Sequence, residues 1–286
     1  MTGIIEENKK RLALINAPYD PMTGEGSPIP RTLVEIPDSP LPKMWLPNDM
    51  LLDPVVQSVI EHGFHYHIYK AGLPVNDKTM NLFWEDFSRI RNRYDYEWYA
   101  RMCQTIQDKE TLKEVPFILW QPQRKYLKEL EELRLSGEAI DIILLKARQW
   151  GGSTLVQLYM AWVQLFLKEG WYSVILAQTK DTSKRIKAMY TKVLSSLPAW
   201  AIDGEGKIHF SPYEKSASDS ILTWDNGDVA RNNVVSIASY ENYDSVRGNA
   251  YSMAHYSEVA FWKDTDGKSP EEVISSVSGG IMELPL

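Results

Sequence analysis

Cysteine occurs once in this 286-residue chain, at Cys103, which excludes a disulfide framework and a cysteine-built zinc site and suits a reducing compartment. Positive charge is not in excess either. Against 38 Asp and Glu stand 31 Lys and Arg, a net −7, so the chain has no overall basic coat, although a local basic patch stays open. No signal peptide is expected, because Glu6, Glu7, Lys9 and Lys10 precede any apolar run. The longest uncharged stretch is the 19 residues from Gln149 to Leu167. It carries Gly151, Gly152, Ser153, Thr154, Gln157 and Gln164, and reads as a buried helix rather than a membrane span. Aromatic residues are plentiful, with 10 Trp, 15 Tyr and 7 Phe, and apolar residues make up 44%, which excludes disorder as the main state. The length suits one large domain or two of ordinary size.

The first fifty residues hold Pro18, Pro21, Pro28, Pro30, Pro37, Pro40, Pro42 and Pro47, a density that excludes long helices and predicts an extended arm or an irregular lid. Trp45, Leu46, Leu51 and Leu52 within it argue that the arm packs on something. From Thr79 to Gln107 the pattern is helical, with Leu82, Phe83, Phe87 and Ile90 at helical spacing and a second helix starting at Tyr94–Tyr99; Cys103 falls in this pattern as a core residue. Before it, His62, His65 and His67 lie in the run from Glu61. They read as a metal site or, with no thiol or further carboxylate at ligand spacing, as surface or strand histidines.

Beyond residue 115 strands alternate with helices. Ile140–Leu145 is a nearly all-apolar run, as expected of a strand buried on both faces, and Tyr172–Ala177 is another. Helices are expected at Ser153–Lys168 and Asp181–Leu197. Ile221–Trp224, the turn Asp225–Asp228 and Val234–Ala238 predict a hairpin, and Tyr251–Tyr256 predicts a further strand. This alternation implies an α/β fold, a mostly parallel sheet between helices. The boundary is placed near residue 110, with an N-terminal arm and helical subdomain over 1–110 and the α/β core over 111–286.

The expected strand Ile140–Leu145 runs into Lys146-Ala-Arg148-Gln149-Trp150-Gly151-Gly152-Ser153-Thr154, and a helix follows. A strand, a glycine turn and a helix that opens on hydroxyl residues form a phosphate cradle. Backbone N–H groups and the helix N-terminus face the anion, and a hydroxyl can hold Mg2+. The G-x-x-x-x-G-K-[ST] pattern is broken here, since Gly152 stands in the lysine position and Lys146 in that of the first glycine. Lys146 and Arg148 restore cations to the loop; the plain alternative is a glycine turn with solvated basic residues. About a hundred residues on, Tyr251–Trp262 carries Glu258 just past the expected strand, where a carboxylate at the sheet edge can orient water for attack on a γ-phosphate.

With these segments in view, the chain resembles the large terminase subunit of tailed bacteriophages, the ATPase that packages DNA into procapsids. Phe117–Leu127, containing Gln123, is similar to the family's adenine-binding segment, and Lys146–Thr154 to its R-Q-x-G-K-[ST] loop. Ser245-Val-Arg247-Gly248 resembles the Arg-Gly before the Walker B strand, and Tyr256–Trp262 its D-E-a-x-[FW] end. The resemblance covers residues 117 to 262, in the family's order. It implies a RecA-like P-loop NTPase core with a proline-rich arm and helical lid. ATP and Mg2+ would be the cofactors, with Gln123 reading adenine and Gln149, Trp150, Gly151, Gly152, Ser153 and Thr154 around the phosphates. Ser153 or Thr154, together with Ser257, would hold the metal. Lys146 and Arg148 would neutralise the β/γ-phosphates, Glu258 would activate water, and Arg247 would act on a neighbouring subunit's nucleotide, with local pairing to Glu241 or Asp244 as its alternative.

Two departures bear on competence. Gly152 replaces the usual lysine, although some terminases carry that lysine at the loop start, where Lys146 stands; Ser257 replaces the Walker B aspartate. The implied partners are double-stranded DNA, the portal protein, the small terminase subunit and further copies in a ring on the procapsid, in the host cytoplasm, with no membrane involved. The family's coupling motif and nuclease cluster find no counterpart before Leu286, so an ATPase portion without DNA cleavage is expected. The basic helix Lys180–Lys192 offers Lys180, Lys184 and Lys187 on one face to DNA phosphates or simply to water. Two other readings stand beside the motor, a helicase-type DNA-dependent ATPase and a nucleotide-binding assembly module with impaired hydrolysis.

Overall fold

A computed structural model describes residues 2–15, 18–108, 110–146, 150–201, 207–210, 219–225, 233–279 and 281. The chain divides into two compact units, residues 1–133 with 198–201, and residues 134–197 with 202–286.

In the first unit α1 (Thr2–Ile15) precedes the first proline of the arm, which is why a helix stands where the arm as a whole was expected to lack one. The prolines then frame an antiparallel hairpin of β1 (Arg31–Glu35) and β2 (Lys43–Pro47), not an irregular lid. Met44, Leu46 and Met50 from this segment are buried with Phe64 and Phe87, so the arm does pack on a core. Asp53 caps α2 (Pro54–Lys70), with Pro54 at its first position. Gly63 interrupts this helix at φ 77°, and a Cβ there would lie 2.7 Å from Pro37, so glycine is what lets the helix close onto the arm.

All three histidines are therefore on a helix, not a strand, and each has its own contact. His65 Nδ1 lies 3.1 Å from Asp38, His62 Nδ1 3.2 Å from the Ser58 carbonyl, and His67 Nε2 3.3 Å from the Ser58 hydroxyl. No group of three metal-ligating side chains occurs among the described residues. α3 (Asp77–Tyr94) opens with a capping box from Asn76 and Thr79, and α4 (Tyr96–Cys103) is capped by Asp95. The helical pattern stops there: Thr105–Gln107 is strand β3, paired antiparallel with β4 (Glu114–Pro116). α5 (Gln121–Ser136) follows. Cys103 is buried, and burial pushes its thiol up to about 12, the state of an inert core cysteine.

A buried charge cluster ties the arm to α3 and α4. Asp95 accepts from both terminal nitrogens of Arg31 at 2.7 Å, from Arg91 Nε at 2.8 Å and from the Trp98 N–H at 3.1 Å. Glu97 accepts from Arg31 at 2.8 Å, from the Tyr19 hydroxyl at 2.9 Å and from Ser27. Arg91 also lies over the Trp98 ring.

The second unit holds α6 (Gly152–Trp162), β5 (Tyr172–Ala177), α7 (Lys180–Ser195), β6 (Lys207–Phe210), β7 (Asp219–Asp225), β8 (Asn233–Ser239), β9 (Met253–Tyr256) and α8 (Pro270–Ser278). The sheet order is β6-β7-β8-β5-β9. β8, β5 and β9 run parallel, while β6 and β7 are antiparallel additions at the other edge. This is a mixed α/β fold with a three-strand parallel sheet flanked by helices. The expected hairpin appears as the β7–β8 pair, with Ile221 opposite Val234; residues 226–228 of its turn lie outside the described residues.

α6 runs into a π-helical turn over Val163–Leu167 that turns Gln164 inward. Gln164 Nε2 donates to the Trp171 and Val234 carbonyls and to Ser173, and its Oε1 accepts from Tyr190 of α7 at 2.7 Å. One amide thus locks α6, α7 and the sheet together.

The expected strand Ile140–Leu145 is not formed. Half-buried Ile140, Ile142 and Leu144 alternate with exposed Asp141, Ile143 and Leu145, and Ile143 and Leu145 are each 98% exposed. An apolar run predicts burial only if a sheet edge receives it. Among the described residues β9 pairs with β5 alone, and the run joins no ladder.

Candidate functional site

The parallel strands end together, so the residues just past β5, β8 and β9 share the carboxyl edge of the sheet, where ligands bind in open α/β folds. Gln178 follows β5, Glu241 follows β8, and Ser257 and Glu258 follow β9. Gln178 Nε2 donates to the Phe261 carbonyl at 3.0 Å, fastening the turn after β9 to the end of β5. Glu241 accepts from the Lys180 N–H at 3.1 Å and so caps the positive end of α7.

β9 has two distinct faces. Ala254 and Tyr256 pack with Val174, Leu176, Trp262 and Val273 on the α8 side. Alternation sends His255 and Ser257 to the opposite side, with Ser173 and Ile175 of β5, where Gln164 and Tyr190 also meet the sheet. Ser257 is buried. Its N–H extends the ladder to the Leu176 carbonyl at 2.9 Å, and its carbonyl accepts from the Trp262 indole at 3.1 Å. That indole stacks on Tyr240 at 4.7 Å, which explains the aromatic residue closing the segment. Glu258 is exposed and sits at φ 59°, ψ 39°, a left-handed conformation costly for glutamate and one that turns the chain sharply after the strand.

Gly151 caps α6 from φ 76°, a backbone that glycine adopts freely, and contributes no side-chain bond to the helix N-terminus. Gly152 begins the helix. A Cβ there would fall 2.8 Å from Trp150 Cζ2 and 3.0 Å from Lys146 Cδ, so the Lys146 stem and the Trp150 ring fill the space a side chain at 152 would need. Ser153 and Thr154 are both half-buried, and the Thr154 hydroxyl turns to Met189 of α7 at 3.8 Å. Arg148 and Gln149 lie outside the described residues.

Lys146 connects α6 to β9. Burial, and then the Lys146 ammonium, push the His255 imidazole down to about 4, so His255 is neutral at neutral pH beside a cation. Lys146, Trp150 and Gly152 thus meet at the start of α6, and the Lys146 charge acts on His255, which shares its face of β9 with Ser257. His255 was missed in the sequence, although its two-residue spacing from Ser257 on a strand was the signal for it.

Arg247 follows the short helical turn Asp244–Val246 and is exposed; only its N–H bonds Asp244, through the carbonyl. Among the described residues no ion pair joins its guanidinium to Asp244 or Glu241, and Glu241 accepts from the Lys180 N–H instead. Gln123 belongs to the first unit. It is buried and its Oε1 accepts from the Trp120 N–H at 3.2 Å, so the amide caps α5. No helix among the described residues is long and apolar enough to cross a membrane. Compared with models of known protein families and with curated protein sequences, the chain matches none.

Proposed function

We propose that the second unit is a RecA-like P-loop ATPase core and that the chain is the ATPase portion of a large terminase subunit, driving double-stranded DNA into a procapsid. The observation that carries this reading is Lys146 lying over Gly152 at the start of α6. The cation absent from position 152 is held at the same helix N-terminus from six residues upstream, and its stem takes the room left by the missing side chain. A triphosphate fits the donors present: the open N–H groups of α6, the Lys146 ammonium and the Ser153 hydroxyl. Ser153 and Ser257 are neutral, so Mg2+ would arrive on the phosphates and be held by hydroxyls and water rather than by a carboxylate cage. Bound there, the metal would neutralise charge on the phosphates. Glu258, at the sheet edge, orients the attacking water.

Arg247, exposed and without an ion pair among the described residues, is the residue to reach a neighbouring subunit in a ring. The exposed Lys180 and Lys184 on α7 face DNA phosphates. Gln123, the portal protein and the small terminase subunit come to this reading from the resemblance alone.

Buried Ser257 in the aspartate position favours a second reading, a module that binds nucleotide without turning it over. Measuring ATP binding and hydrolysis separately on the purified chain decides between them. The motor reading expects both, and expects Lys146→Ala to lose turnover by about a hundredfold or more while the fold survives. Binding without turnover selects the module, and wild-type turnover in Lys146→Ala removes the phosphate role of Lys146.

A further inference from the structure

Two polar side chains of the elements around the candidate site find no hydrogen-bond partner among the described residues. His255 Nδ1 is buried without one, and so are both amide atoms of Gln157, a side chain with no exposed surface. Native interiors rarely keep such groups unless a water, ion or ligand answers them. Both belong to the elements that build the site. Gln157 follows Ser153 by one helical turn and shares its face, and side chains on a helix lean toward the N-terminus, here the cradle end of α6. His255 lies on the same face of β9 as Ser257 and next to Lys146, whose stem reaches Gly152.

We propose that His255 contacts the terminal phosphate of the bound nucleotide beside Lys146, and so distinguishes a triphosphate from a diphosphate. This rests on the ATP-site reading above. The N–H groups at the start of α6 hold the inner phosphates, whereas β9 leads to Glu258 and the attacking water, at the far end of the triphosphate. The unpartnered Nδ1 of His255 is the ring atom that can donate one hydrogen bond to a phosphate oxygen. Among the described residues, Lys146 is the charged group that acts on it. On its own strand and on β5 its neighbours on that face are Met253, Ser257, Ser173, Ile175 and Ala177, all uncharged.

Titration calorimetry on the full chain with Mg-ATP and with Mg-ADP tests this. His255→Ala is expected to weaken ATP binding about tenfold or more and to change ADP binding by less than about twofold. His255→Asn, which keeps an N–H near the Nδ1 position, restores most of the loss. ADP affinity doubles as the check that the variant is folded. Equal weakening of both nucleotides, or of neither, overturns the role of His255 while leaving the ATP site standing. If the unsubstituted protein binds neither nucleotide, this inference and the site reading fall together. The unsubstituted protein gives an independent readout: the 15N resonance of His255 Nδ1 should move with ATP and not with ADP, and a resonance that responds alike to both overturns the proposal.

Discussion

Lys146 Cδ lies 3.0 Å from the point a Cβ would occupy on Gly152, so the two positions compete for one space. On the nucleotide-site reading proposed above, a lysine at 152 and a lysine at 146 would be alternative ways to place a cation at the start of α6. Gly152→Lys alone is therefore expected to destabilise the protein by about 1–3 kcal/mol through overpacking against Lys146 and Trp150. In the Lys146→Ala background the same substitution should cost less, because half of the obstruction has gone. A double-mutant cycle by chemical denaturation reads the coupling directly. Strict additivity would mean that the two side chains do not share the space.

Glu258 keeps a left-handed backbone that glycine would adopt without strain. Replacing it by glycine should raise stability by up to about 1 kcal/mol and abolish ATP turnover, a gain and a loss from the same residue. Glu258→Gln keeps the strain and the shape, so it should retain nucleotide binding and lose most hydrolysis. Denaturant midpoints and turnover rates on the two variants check both halves. If Glu258→Gly is less stable than wild type, the carboxylate has a structural role after the strand.

The parallel strands were legible because β5, β8 and β9 are short apolar runs between turns, and the break of the phosphate-loop pattern at Gly152 was legible with them. Ile140–Leu145 carries the same kind of run and forms no strand, since composition reports a wish for burial but not whether an edge is free to receive it. Of the two plain readings of His62, His65 and His67, the strand fails and the surface holds for His62 and His65, which are exposed on helical segments that meet at the non-helical Gly63. The Arg31–Asp95 pair was invisible for another reason. It joins residues 64 apart, and no local period encodes such a contact. His255 sat in plain view but gains meaning only from the Lys146 side chain that folding places beside it.

Asp95 sits in the most charged buried spot of the first unit. Burial alone would raise its carboxyl, but Arg31 and Arg91 outweigh it and hold the group well below the usual carboxylate range. The folded-state value is lower than the unfolded one, so its contribution to stability is complete above about pH 4 and is lost as pH falls further. Asp95→Asn should remove that acid-dependent part and cost about 3–5 kcal/mol at neutral pH, because buried Arg91 loses the carboxylate it pairs with and Arg31 is left with Glu97 alone. Unfolding midpoints between pH 7 and pH 2 for the two proteins test this. Parallel pH profiles would show that other carboxylates dominate acid unfolding.

Gln164 makes four hydrogen bonds from one amide, to Trp171, Ser173, Val234 and Tyr190. Gln164→Leu keeps the bulk and strands those partners in the core. The expected loss is about 3 kcal/mol or more, well above that of an ordinary buried substitution. Thermal unfolding measures it. A loss under about 1 kcal/mol would mean that water enters and replaces the amide.

Arg247 gives the sharpest test of assembly. Glu241, one of its two local candidates, is engaged by the Lys180 N–H at the start of α7, and Asp244 offers Arg247 only its carbonyl. The Arg247 guanidinium is exposed and has no ion pair among the described residues, in a loop that ends at Gly248 before β9. Acting on a neighbour's nucleotide, it would contribute about a thousandfold or more by stabilising charge on the transferring phosphoryl group. Arg247→Ala subunits and Glu258→Gln subunits should each be inactive alone. Mixed in one assembly they should regain turnover, because an intact Glu258 in one subunit then meets an intact Arg247 from the next. The recovered rate should rise and fall with the mixing ratio and peak near equal amounts, which a simple additive background cannot do. If mixed assemblies form, as light scattering would show, and turnover stays absent at every ratio, Arg247 works within its own chain and the trans role is excluded.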